Sequence, residues 1–244
     1  MKYAIISDIH ANLEALTVAI NYILSEGIST ILCCGDIVGY GPDPSKCLVF
    51  LKRYDFQSTY GNHDKAIITD SIGVFFNEEA VVALNIQKSL TTKKDLTYLQ
   101  KLPYTISIDN FILTHSSLNR KNQYKYILNQ ILAKENLSLT NKQILFIGHS
   151  HKPGCYIFEK NICNYITSKD DFEINIKDDS RYLINVGSVG QPRDGNPKIS
   201  LAIYDQLLKK VKIVRLYYPI TKTQEKMKSL NFPEYLYSRL EKGM

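Results

Sequence analysis

The feature that most constrains this chain is a strand–helix–strand unit at its start. Tyr3-Ala4-Ile5-Ile6 is a continuous apolar run, the pattern of a strand buried on both faces. Asn12 stands where it can cap a helix over residues 13–25, in which Leu13, Leu16, Ala19, Ile20 and Ile23 recur at helical spacing. Gly27 ends that helix, and residues 30–34 read as the next strand. Two strands joined this way are parallel neighbours with a right-handed crossover, because a right-twisted strand feeding a helix packs back onto its sheet in that sense.

The rest of the pattern extends this start. Gly39-Tyr40-Gly41-Pro42-Asp43-Pro44 is an obligate loop, with Pro44 placed to open a helix toward Tyr54. Residues 56–60 predict a third strand, and residues 78–101 two helices broken near Thr91. Residues 104–108 and 111–114 form a hairpin around Asp109-Asn110, followed by a helix over 124–135 and a strand over 144–147. Strands then dominate, at 155–158, 182–185, 199–204 and 211–216, and the tail from Thr221 is helical with an interruption at Pro233. No repeat, low-complexity segment or linker divides the sequence, so one domain over 1–244 is expected, with a helical tail over 220–244. Early strands separated by helices and later antiparallel strands predict an α/β fold of two mixed sheets, with helices outside.

Composition narrows the function classes. With 44% hydrophobic and 22% charged residues, a chain of 244 residues can bury a sizeable core. It lacks any uncharged apolar stretch of about 18 residues that would span a membrane. The strand-like run from Lys2 leaves no room for a signal or transit peptide, which predicts a cytoplasmic protein. The net charge of +6 admits an anionic substrate but is too weak and too dispersed to argue for a nucleic-acid partner. Five cysteines without C-x-x-C spacing argue against disulfides and a structural zinc site, so all five are expected to be reduced and without a catalytic role.

The five histidines carry the chemical signal. Each follows a predicted strand in a polar cluster: Ser7-Asp8-Ile9-His10, Gly61-Asn62-His63-Asp64, Leu113-Thr114-His115 and Gly148-His149-Ser150-His151. Gly35-Asp36 follows another strand. Sites in open α/β sheets form beyond the carboxyl ends of strands, so one rim can gather Asp8, Asp36, Asn62, His115 and His149. Asp8 with His10, and His149 with His151, are two residues apart, which in extended backbone points both side chains the same way. Imidazoles mixed with carboxylates suit Mn, Fe, Zn or Ni rather than Ca. The donors suffice for two ions, with Asp36 the natural bridge because Gly35 and Gly39 let the backbone turn sharply beside it. Simpler readings compete for single residues. Asp8 alone would be a helix-capping acid, Asn62 a turn residue after Gly61, and His115 a strand terminus. Two imidazoles in one tight loop at His149 and His151 have no such explanation.

In order, Asp8-x-His10, Gly35-Asp36-x-x-Gly39, Gly61-Asn62-His63-Asp64, His115 and Gly148-His149-x-His151 resemble the signature of calcineurin-like metallophosphoesterases. The loop from Gly39 to Pro44, Asn185-Val186-Gly187-Ser188, Gln191-Pro192-Arg193-Asp194-Gly195 and the 233–243 tail resemble the small prokaryotic phosphodiesterase branch, often described as diadenosine-tetraphosphatase-like. The resemblance implies a four-layer α-β-β-α sandwich of two mixed sheets flanked by helices. It also implies two metal ions, with Mn foremost and Fe, Zn or Ni as alternatives. Asp8, His10, Asp36 and His151 would hold the first ion, and Asp36, Asn62, His115 and His149 the second. His63 would be the catalytic histidine, oriented by Asp64, assisting a metal-bridging hydroxide in its attack on phosphorus. Ala11 stands where many relatives have Gly, and Ser150 where Thr is common; neither is a presumed ligand.

The implied activity is hydrolysis of nucleotide-type or other small phosphodiesters. A phosphomonoesterase or protein phosphatase of the same fold is the alternative, and a non-catalytic scaffold ranks low because His63 and the ligand set are complete. Asn62 and Arg193 are candidates for substrate contact, although a plain surface arginine explains Arg193 about as well. Tyr40 either stacks on a base or covers its loop, and Asn12 is a cap rather than a substrate contact. Tyr235 and Tyr237 are expected to pack or to meet a second subunit, and the oligomeric state, homodimer included, stays open.

Overall fold

The computed structural model describes residues 1–69, 76–119, 124–160 and 162–244. It begins with β1 (Lys2–Ile6), α1 (Leu13–Ser25) and β2 (Thr30–Cys33). Asn12 caps α1, its side-chain oxygen accepting the Ala15 amide at 3.1 Å. α2 (Pro44–Arg53) opens on Pro44, where a missing N–H is harmless, and leads to β3 (Gln57–Ser58). This strand is shorter than its sequence suggests because the Tyr60 amide leaves the sheet to donate to the Pro103 carbonyl at 3.1 Å. α3 (Asn62–Thr69), α4 (Glu78–Leu90) and α5 (Lys93–Gln100) follow. The break between the last two falls at the expected place, where Thr92 and Asp95 form a reciprocal capping box.

The hairpin of β4 (Thr105–Ile108) and β5 (Phe111–Thr114) precedes α6 (Gln130–Ser138) and β6 (Ile144–Ile147). α6 starts later than the pattern over 124–135 suggests. Asn129 sets its start by accepting the Leu132 amide, while the Tyr124 and Lys125 carbonyls bond to His149 and Ser116. Next come β7 (Gly154–Glu159), β8 (Ile162–Ile166), β9 (Phe172–Asn175), β10 (Ser180–Asn185), β11 (Ile199–Asp205) and β12 (Lys210–Leu216). β8 and β9 escape the sequence reading. Both are edge strands, and the side chains of β8 are mostly exposed, so no buried face marks it.

The strands form two six-stranded sheets, ordered β3-β2-β1-β11-β12-β9 and β4-β5-β6-β10-β7-β8. In the first, β1, β2 and β3 are parallel; in the second, β5, β6 and β10 are parallel, and the remaining pairs are antiparallel. Alternation along β1 divides the core. Tyr3 and Ile5 pack between the sheets with Phe111, Phe146 and Tyr204, whereas Ala4 and Ile6 pack with Leu16, Ile20 and Leu48 of the covering helices. α6 covers the outer face of the second sheet through Ala133 and Leu137. The result is a four-layer α-β-β-α sandwich.

The tail holds α7 (Ile220–Ser229), α8 (Glu234–Ser238) and a 3-10 turn at Leu240–Lys242. Met227, Phe232, Leu236 and Leu240 pack with Tyr40, Ala80 and Ala83, which draws the tail onto the loops at the carboxyl ends of the parallel strands. All five cysteines are free and all but Cys163 are buried; burial pushes the thiol of Cys33 up to about 12, as expected of an inert core residue. Among the described residues no helix is long and apolar enough to cross a membrane.

Candidate metal centre

Parallel strands deliver the polar clusters to one rim. Asp8 follows β1, Asp36 follows β2, Asn62 opens α3 just beyond β3, His115 follows β5, and His149 and His151 follow β6. The first two loops run side by side: the amides of Asp8, His10 and Ala11 donate to the carbonyls of Gly35, Asp36 and Ile37 at 3.0, 3.0 and 2.8 Å. The His149 amide donates to Asp8 Oδ2 at 2.9 Å and so ties the loops of the two sheets together.

Both two-residue pairs converge, but not through extended backbone. Asp8 and His10 have φ of 52° and 47°, and His149 and His151 have 66° and 59°, all in the left-handed region. The residue between turns away, Ile9 into the core and Ser150 toward Asn185. Ala11, Asp36 and Tyr40 also have positive φ. Each such non-glycine residue costs about 1–3 kcal/mol, a strain that gathers where function demands a particular geometry.

The donor chemistry of the clustered side chains fits bound cations. Each of four imidazoles donates one ring N–H to a backbone carbonyl: His10 Nδ1 to Val38 at 3.0 Å, His115 Nδ1 to Cys34 at 3.0 Å, His149 Nε2 to Tyr124 at 2.8 Å and His151 Nδ1 to Gln191 at 2.5 Å. That fixes each tautomer and leaves the other nitrogen as an acceptor. These acceptors face one another. His10 Nε2 and His151 Nε2 are 3.1 Å apart, and Asp8 Oδ1, which has no hydrogen-bond partner among the described residues, lies 3.1 Å from the second of them. His115 Nε2 is 3.1 Å from His149 Nδ1, 3.1 Å from Asn62 Oδ1 and 3.2 Å from Asp36 Oδ2. Asp36 Oδ2 also lies 3.7 Å from His10 Nε2, so one carboxylate touches both groups. Buried unpaired acceptors cost about 1–3 kcal/mol each. A cation between them removes that penalty, and ligand atoms about 3 Å apart match metal bonds of about 2.1 Å. Burial depresses His115, yet the adjoining Asp36 carboxylate outweighs it and drives the imidazole up to about 9. Without a metal a proton on Nε2 meets the demand of that carboxylate, and a bound cation would take the proton's place.

His63 sits beside both groups. Its backbone amide donates to Asp36 Oδ1 at 2.9 Å, and a ring nitrogen lies within 4.8 Å of ligand atoms of His10 and Asp36. The ring packs against Tyr40 at 4.5 Å and Phe76 at 4.7 Å, and its Nδ1 has no hydrogen-bond partner among the described residues. Burial lowers its pKa to about 4, and the Arg193 charge adds to that effect. Among the described residues Asp64 has no hydrogen bond to this ring. Its carboxylate accepts the amides of Ile37 and Val38 at 2.9 and 3.0 Å and of Gly61 at 2.9 Å. It therefore fixes the loops that carry Asp36 and Asn62, although burial and the nearby Asp36 push it up to about 7.

A family model described as the calcineurin-like phosphoesterase superfamily domain matches residues 1–207. The chain belongs to that superfamily. It is 35% identical over 244 residues to an uncharacterized protein of Methanocaldococcus jannaschii, covering 98% of this chain and 97% of that one. A metallophosphoesterase from Sphaerobacter thermophilus superposes with a TM-score of 0.85 at 33% identity, with both chains covered completely. A hypothetical protein of Pyrococcus horikoshii shares the fold, with a TM-score of 0.80 at 18% identity over 100% of this chain and 98% of that one. Membership of this metal-dependent superfamily makes the chain a phosphoester hydrolase, with its clustered Asp and His side chains the candidate ligands.

Around the centre, this phosphoesterase uses residues that the sequence reading missed. Gln87 of α4 is fully buried; its Oε1 accepts the Gly39 amide at 2.6 Å and its Nε2 donates to the Gly41 carbonyl at 2.5 Å. A polar residue on the helix face formed by Ala80, Ala83 and Leu84 was the available signal. Ser188 Oγ donates to the Asp8 carbonyl at 2.8 Å, and Asn185 Nδ2 to the Gly148 carbonyl at 2.6 Å, which gives the Asn185-Val186-Gly187-Ser188 motif a structural purpose. Asn12 is the expected cap and also donates to the Gly190 carbonyl at 2.9 Å. Tyr40 covers its loop, packing on His10 at 4.8 Å, and Arg193 Cζ lies 5.4 Å from its ring centroid. Arg239, brought in by the tail, lies on the same ring at 5.2 Å.

Proposed function

We propose that the chain is a binuclear metal-dependent phosphodiesterase acting on small, nucleotide-type phosphodiesters. The observation that carries this reading is the pair of buried acceptor clusters that share Asp36. Asp8, His10, Asp36 and His151 would hold one ion, and Asp36, Asn62, His115 and His149 the other, with Mn the first choice and Fe, Zn or Ni as alternatives. Two divalent cations held there acidify water and neutralise charge on phosphoryl oxygens.

The protein's own groups supply position and hydrogen bonds. His63, neutral at pH 7 with its pKa held near 4 by burial, acts as a donor to a phosphoryl or leaving-group oxygen as negative charge develops there. Gly39, at φ of 96°, leaves room for that ring, since a Cβ at this position would overlap its Nδ1. Asp64 and Gln87 hold the backbone on either side of the site. Asn62 serves as a ligand and reaches toward the substrate, and Arg193 contacts a phosphate of that substrate.

Metal analysis of the purified protein, combined with hydrolysis of bis(p-nitrophenyl) phosphate and p-nitrophenyl phosphate under each metal, tests the reading. Two ions per chain and faster turnover of the diester are expected. Hydrolysis of the monoester alone would make the chain a phosphomonoesterase, and hydrolysis of neither would remove the enzymatic reading.

A further inference from the structure

Two arginines that have no carboxylate partner among the described residues meet beside the candidate metal centre. Arg193 Nη2 donates to Gln191 Oε1 at 2.7 Å, and Arg239 Nη2 donates to the same oxygen. Both guanidiniums lie on the Tyr40 ring, at 5.4 and 5.2 Å from its centroid, and Arg239 also lies over Tyr235 at 5.3 Å. Neither has an acidic partner among the described residues, and the Nε of each is buried without a hydrogen bond. Arg215, whose Nε is likewise unpaired, shows how this chain treats a buried arginine elsewhere: its two Nη atoms are paired with Asp194 through bonds of 2.6 and 3.0 Å. Arg239 is only 6% exposed, yet it is paired with a like charge and a neutral amide.

Two guanidiniums sharing one amide oxygen repel each other, and planar forks of N–H groups match the oxygens of a phosphate. Arg193 is half-buried, so an anion can reach the pair from solvent. The pair is also tied to the metal centre. Gln191 uses its side chain on both arginines and its carbonyl on His151, and the Arg193 amide donates to the His151 carbonyl at 3.2 Å. Tyr40, beneath the guanidiniums, is in contact with the rings of His10 and His63. Arg239 lies beyond residues 1–207, the span of the family match, so the tail supplies one of the two guanidiniums and the superfamily domain the other.

We infer that Arg193 and Arg239, held by Gln191 over Tyr40, form a subsite for a second, non-reacting phosphate of the substrate. This rests on the phosphoesterase reading above and narrows it to diesters that carry at least one further phosphate. That phosphate belongs either to a phosphoanhydride chain or to a separately phosphorylated sugar.

The test compares the p-nitrophenyl ester of thymidine 5′-phosphate with the same ester carrying a 3′-phosphate, on the Mn-loaded protein. A parallel arm uses diadenosine tetraphosphate. The second phosphate should raise kcat/KM about tenfold or more, mainly through KM, and the ratio should fall toward one in Arg193→Met and Arg239→Met. Arg239→Lys should keep part of it. Equilibrium binding of thymidine 3′,5′-bisphosphate against thymidine 5′-phosphate gives the same comparison without turnover. A preference confined to the anhydride arm would identify a polyphosphate chain as the source. Equal handling of substrates with and without the second phosphate in both arms would overturn the subsite, as would an unchanged ratio in both methionine variants. Absence of turnover on every ester, with bisphosphate still preferred in binding, would contradict the phosphoesterase reading and not the subsite.

Discussion

His10 Nε2 and His151 Nε2, 141 residues apart in sequence, face each other at 3.1 Å while their Nδ1 atoms donate to backbone carbonyls. Two acceptor nitrogens brought that close and buried repel each other until a proton or a metal cation lies between them. The same arrangement recurs at His115 and His149, and Asp36 joins the two.

Replacement of Asp36 by Asn should deplete both ions, because the carboxylate touches both groups of ligands. Metal content measured by inductively coupled plasma spectrometry should fall from two per chain to well below one. Two tightly held ions in that variant would show that Asp36 is not shared.

His63→Ala should lower turnover about 10²–10⁴-fold, the usual size of a positioned proton donor's contribution. Its metal content should stay near wild type. His63, His10 and Asp36 also lie close enough together to grip a cation, so loss of metal along with activity would make His63 a ligand instead.

Asp64→Asn separates loop support from ring orientation. An amide offers one acceptor oxygen where the carboxylate serves three backbone N–H groups, and each amide left unpaired costs about 1–3 kcal/mol. A drop of several degrees in Tm with reduced metal content is expected. A variant of unchanged Tm that loses only kcat would show that Asp64 acts by orienting His63.

Gly39→Ala should behave like a His63 variant. The added methyl overlaps the imidazole, and φ of 96° is unfavourable for any side chain. Turnover should fall steeply while metal content persists; wild-type kcat would mean that His63 tolerates displacement.

Removal of metal should destabilise the fold. One ion at about 100 times its Kd contributes about 2.7 kcal/mol, which for a chain of this size is several degrees of Tm. Calorimetry with and without a chelator reads this directly, and identical Tm values would argue against preformed sites.

The opening βαβ unit was legible in the sequence because one Asn cap and a helical run of apolar residues specify it. Asp8, Asp36 and the histidines were legible because metal chemistry requires those residue types at strand ends. The backbone behind them was not: the spacing of His149 and His151 suggests an extended strand, whereas both residues adopt left-handed φ under the constraint of the Asp8 carboxylate. β8 was hidden by its exposure at a sheet edge. Gln87 and Arg239 were hidden because a helical glutamine and a tail arginine look like solvated surface until the fold buries them. Two of the three amide bonds of Asp64 come from Ile37 and Val38, far from it in sequence, and no local pattern announces them.

Anomalous diffraction from crystals grown with Mn tests the central claim most directly. Two peaks about 3.5–4 Å apart are expected. Asp36 should bridge them, with Asp8, His10 and His151 on one and Asn62, His115 and His149 on the other. A single peak, or two peaks without a shared Asp36, would contradict a binuclear centre built on that carboxylate.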